Sequence, residues 1–174
     1  MPAQALFGIS VAFGFIAWGI VAAQYFWPLL RTQARGDALR PLLLLHSFRF
    51  IGLAFLVKGV VAPGLPAAFA VPAAYGDLTA AVLALVALAA LRSGFGIPLV
   101  WVFNLWGSAD LLNAFYQANA SGLEAGMLQA TYFIPTFIVP LLLITHGLVF
   151  LLLIRRDTVA AASMPRRRSP LAGG

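Results

Sequence analysis

Residues 42–63, LLLLHSFRFIGLAFLVKGVVAP, are long and apolar enough to cross a bilayer, yet they carry His46, Arg49 and Lys58. Ionisable side chains are costly inside a membrane and persist where they face a bundle interior with partners. A chain built around this run must therefore bury three polar groups against neighbouring helices. What those groups meet sets what the protein can do.

Composition places the whole chain in the same class. It is 62% hydrophobic and 9% charged, against about 25% charged in ordinary globular chains. A soluble fold would lack the polar side chains needed to cover its surface. The absence of cysteine excludes disulfides, thiolate metal sites, iron–sulfur clusters and cysteine nucleophiles. The net charge of +6 does not point to nucleic acid, because the basic residues flank apolar runs, where they orient a chain in a membrane.

The expected fold is all-α: a polytopic integral membrane bundle of about five transmembrane helices at residues 5–30, 42–63, 67–91, 96–118 and 128–154. Residues 1–156 form one transmembrane domain. The tail 157–174 is basic and rich in proline and glycine, so it is expected to be disordered and cytoplasmic. Val21-Ala22-Ala23 resembles a signal-peptidase site, but nothing basic precedes the first run, which reads as a retained helix. Residues 64–77, GLPAAFAVPAAYGD, suit either a re-entrant turn or an irregular helix start. A helix from near Ala67 that tolerates Pro72 would carry Gly76 and Asp77 into the membrane. With five spans, Arg31, Arg35, Arg40, Arg92, Arg155, Arg156, Arg166, Arg167 and Arg168 all fall on one side. The amino terminus is thus expected outside and the carboxyl terminus in the cytoplasm, at a bacterial inner (plasma) membrane.

Four ionisable residues of balanced sign remain inside the spans: Arg49, Lys58, Asp77 and Asp110. At about 1.5 Å per helical residue, His46, Arg49, Asn104, Gln24 and His146 form a cytoplasmic-side polar layer. Lys58, Asp77 and Asp110, with Asn113 on the Asp110 face, form an outer layer. At about 100° per residue, Lys58 lies opposite Arg49 on its helix. Lys58 is therefore expected to pair with Asp77 or Asp110. Arg49 is left to meet Asn104, Gln24, backbone carbonyls or an anionic ligand.

Two function classes follow, with a third beside them. The leading one is a small transporter or ion-binding membrane protein using Lys58, Asp77, Asp110 and Asn113, where one lysine between two carboxylates leaves one free to titrate or hold a cation. Its bland counterpart is an ion pair that merely locks helices together. The alternative is an electron carrier or redox subunit with His46 and His146 as axial ligands to the iron of haem b and Arg49 on a propionate. The third is a structural or assembly subunit of a membrane complex. The expected partners are the lipid bilayer, a small molecule or ion, and a second copy or complex subunit, but no nucleic acid. No HExxH motif, phosphate loop or Ser–His–Asp arrangement is present, so no catalytic residue is named.

Overall fold

The computed structural model describes residues 1–155; the tail expected at 157–174 lies outside the described residues. Among the described residues every regular element is helical. Helices α1 (Ala3–Leu30), α2 (Arg35–Leu56), α3 (Ala67–Ala90) and α5 (Ile134–Ile154) are long and apolar enough to cross a membrane. Helix α4 (Gly96–Ala120), at 25 residues, is as long but interleaves Asn104, Ser108, Asp110, Asn113 and Gln117 with its apolar residues. A short 3-10 segment, Ala125–Tyr132, links α4 to α5.

Helix α2 lies seven residues earlier than the apolar run predicts, at 35–56 rather than 42–63. Ala34 is extended, and Asp37 sits in the first turn, where a carboxylate complements the positive helix end. At the other end Val57 becomes extended and Gly59 takes φ 84°, a conformation glycine adopts without cost. Apolarity alone misplaces both limits, because it registers neither the cap nor the turn. Arg35 and Arg40 therefore belong to the helix, and Lys58 does not.

The second half of α2, Ser47–Leu56, is a ten-residue 3-10 helix. Such a helix has about three residues per turn and rises about 2.0 Å per residue. His46, Arg49, Gly52 and Phe55 recur every third residue, and all four are buried. The α-helical angle would have fanned them apart. The 3-10 winding lines them up on one stripe.

Helix α1 packs along α5 and is otherwise widely exposed, as a lipid-facing helix would be. Gly14 allows the approach: a Cβ there would collide with the Thr136 carbonyl. Pro140 cannot donate to that carbonyl, and the chain makes a wide turn over Ile134–Ile138. Trp18 Nε1 donates to the Phe137 carbonyl at 3.1 Å, satisfying part of this irregular backbone. At the arginine-rich end, the Arg155 guanidinium donates to the carbonyls of Arg31 at 2.7 Å and Gln33 at 2.8 Å. Arg35 donates back to the Arg155 carbonyl. The α1–α2 turn and the end of α5 are thus fastened together.

Two apolar clusters fill the bundle. The one at the arginine-rich end includes Leu39, Leu43, Ala84, Ala87, Val100, Phe103 and Leu152. The one at the Glu124 end includes Phe55, Phe69, Leu111, Leu123 and Leu128. Buried polar side chains from α2, α3, α4 and α5 lie between them.

Candidate functional site

The centre of this polar group is Arg49, only 1% exposed. Its Nε donates to Asp77 Oδ1 at 2.7 Å and its Nη2 to Asp110 Oδ2 at 2.7 Å. Its Nη1 reaches the Gly107 carbonyl at 3.2 Å and His146 Nε2 at 3.1 Å. One planar guanidinium from α2 thereby binds α3, α4 and α5, a use of its fixed donor fork that a lysine could not reproduce.

The expected pairing of Lys58 with Asp77 or Asp110 is therefore corrected: Arg49 takes both carboxylates. Lys58 is exposed in the turn beyond α2. The error came from measuring depth from residue 42. Counted from Arg35 through one α-helical and one 3-10 stretch, Arg49 lies about 22 Å from the arginine-rich end. Asp77 lies about 20 Å before the end of α3, and Asp110 about 21 Å into α4. The three charges share a level, and the two expected layers are one network joined by Arg49.

Glycines make the approach possible. A Cβ on Gly52 would fall on the Asp77 carboxylate, and one on Gly76 on the Asp110 carboxylate. A Cβ on Gly107 would come within 2.7 Å of Arg49 Nη1 and 2.6 Å of His146 Cε1. Each of α2, α3 and α4 thus contributes one residue without a side chain. These glycines were not singled out from sequence as site residues; the available signal was their placement three residues after Arg49, one before Asp77 and three before Asp110.

The histidines extend the network. Arg49 has only protons to give, so His146 Nε2 accepts, and Nδ1–H donates to Asn104 Oδ1 at 2.7 Å. Asn104 Nδ2 returns a bond to the His146 carbonyl at 3.3 Å. The Thr145 hydroxyl lies 2.9 Å from the Leu141 carbonyl, to which it donates, and 3.0 Å from His46 Nε2, from which it accepts. His46 Nδ1 is left buried and unpartnered. The two imidazoles do not fit the axial positions of a haem: their centroids are 4.1 Å apart with planes at 44°, leaving no gap for a porphyrin. His146 Nε2 is also already engaged by Arg49.

Gln24 stands apart from this group, exposed on α1. Asn113 is exposed as well, but it lines a cleft between α3 and α4 with Asp110, Tyr75 and Trp106. Asp110 also borders, with Asp77, an apolar cavity of about 60 Å³ on the Glu124 side. Asp77 thus borders the cavity alone, and Asp110 both the cavity and the cleft.

Residues 6–154, all five helices apart from the first residues of α1, match the profile of a family described as Domain of unknown function (DUF8737). The chain belongs to that family. No curated protein and no solved structure matches it.

Proposed function

We propose that this protein is a small membrane transporter or ion-binding membrane protein whose working centre is Arg49 with Asp77 and Asp110. The observation that carries this reading is one guanidinium shared by two carboxylates from two other helices, midway along the bundle. Lys58 does not join them, so the centre holds one fixed cation against two carboxyl groups. Low-dielectric surroundings disfavour the uncompensated second charge, and a proton or another cation neutralises it. Asp110 is the exchanging group because it borders both the cavity and the α3–α4 cleft.

The helices cross the inner membrane five times, with the amino terminus outside. In support, the turns carrying Arg31 and Arg92 and the end of α5 all adjoin the same apolar cluster, the asymmetry expected of a cytoplasmic face. The native chain lacks cysteine, so single-cysteine variants test this directly. A membrane-impermeant maleimide applied to intact cells is expected to label Glu124→Cys and spare Arg31→Cys; the reverse pattern would invert the topology.

The centre itself is tested by reconstituting the protein into vesicles carrying a pH-sensitive dye. Wild type is expected to exchange protons when a cation gradient is imposed, and Asp110→Asn, nearly isosteric, to lose that exchange while melting as a folded protein. Undiminished exchange in Asp110→Asn would sink the proposal.

A further inference from the structure

The outward side of the α3–α4 pair carries a polar group that the bundle does not use. Tyr75 and Thr79 of α3 and Trp106, Ala109, Asp110 and Asn113 of α4 line an open cleft of about 490 Å³. Two of these side chains are spent on backbone. Thr79 Oγ1 donates to the Tyr75 carbonyl at 2.8 Å, and Trp106 Nε1 to the Gly76 carbonyl at 3.4 Å. The Asn113 carboxamide is different: it is exposed and makes no hydrogen bond among the described residues. It lies about 26 Å along α4 from the arginine-rich end, well inside a helix of 25 residues. In the membrane placement proposed above, its two N–H donors and its carbonyl face acyl chains, which offer them nothing. Such amides join transmembrane helices, because a neighbouring amide supplies what lipid cannot.

The level of Asn113 says what that neighbour is. Gln24, the exposed carboxamide of α1, also bonds to nothing among the described residues, but it lies about 9 Å from the arginine-rich end. Two copies inserted in the same direction cannot bring these amides together. A two-fold axis along the membrane normal instead brings each residue of a contact face to its own copy at the same depth. A carboxamide is then its own complement, each Nδ2 donating to the Oδ1 opposite. Ala109, one turn before Asn113 on the same face and also exposed, adds only a methyl group, which lets two helices approach.

We infer that the α3–α4 face is a docking surface for a second copy of this chain, with α4 against α4 and Asn113 paired with its equivalent across a two-fold axis. This goes beyond the ion-binding reading and rests on the membrane placement alone. Asp110 stands in the same wall, so the second copy also covers the lipid side of the Arg49 centre.

Disulfide cross-linking in native membranes tests this, since the chain lacks cysteine. Full-length Ala109→Cys, oxidised with copper phenanthroline, is expected to run as a covalent dimer. Phe13→Cys, on the exposed face of α1, is expected to stay monomeric. Adding Asn113→Leu to Ala109→Cys should weaken association at least about threefold, read as a lower dimer fraction at equal expression. Cross-linking no greater for Ala109→Cys than for Phe13→Cys, or undiminished by Asn113→Leu, would overturn the inference. So would capture of a different membrane protein in place of a second copy. Protein recovered outside the membrane fraction removes the membrane placement and the dimer with it, whereas membrane-bound protein without the cross-link removes the dimer alone.

Discussion

The two apolar clusters on either side of Arg49 are built differently. At the arginine-rich end, Ala38, Leu39, Leu43, Ala84, Ala87, Val100, Phe103, Val149 and Leu152 are all 0% exposed. Small and branched residues are mixed there, so the helices approach closely. At the Glu124 end the helices are held apart by phenylalanines, and a cavity remains beneath Leu123 and Leu128. A closed end and a hollow end flank one charged centre. The difference teaches where the bundle has room: it is closely packed toward the arginines and keeps its free volume toward Glu124.

The centre joining the two ends should yield the largest effect. Arg49→Met leaves two carboxylates without their cation, and loss of one partner from a buried pair typically costs about 3–5 kcal/mol. Thermal unfolding in detergent measures this; a melting curve unchanged from wild type would show that the guanidinium does not hold the helices together.

The clusters themselves are compared by paired substitutions. Leu152→Ala, at the closed end, removes a fully buried side chain and should cost about 2–5 kcal/mol. Ala114→Val, in the cavity wall, adds volume to existing space and should stay within about 1 kcal/mol of wild type. Similar losses in both variants would erase the distinction between the ends.

Gly52→Ala places a methyl group on the Asp77 carboxylate. Overpacking of this kind costs about 1–3 kcal/mol, and the same variant should impair proton exchange, because Asp77 must move away from Arg49. A stability loss with normal exchange would make Gly52 a packing residue only.

The smallest effect belongs to the loop over the hollow end. Gln129 has φ 44° and ψ −120°, a backbone region suited to glycine, and its neighbour Ala130 donates from its backbone to the Val60 carbonyl at 3.2 Å. Gln129→Gly relieves that strain and should raise stability by about 1 kcal/mol. A destabilised variant would mean that the glutamine side chain contributes more than its backbone costs.

Much of the site was legible before the fold. Arg49, Asp77 and Asp110 stand out as charges in apolar runs, and His46, His146 and Asn104 as polar groups at a similar depth. Their connectivity was not legible. Whether Arg49 or Lys58 reaches the carboxylates depends on where α2 begins and how tightly it winds, and neither follows from apolarity. Gln24 and Asn113 show the same limit, since a polar residue on a span faces inward or outward according to the neighbouring helices.

The run at 42–63 by itself determined that this chain buries ionisable groups among apolar helices, because composition and length are local properties. Only the tertiary structure decided the rest. It moved the helix to 35–56, wound its second half into a 3-10 helix, and expelled Lys58 into a turn. It brought Gly52, Gly76 and Gly107 together around one guanidinium. The physical reason is that an ion pair inside a bundle is set by the register between helices. Starting α2 at Arg35 rather than at residue 42 carries Arg49 about 10 Å deeper, which is enough to choose a different partner.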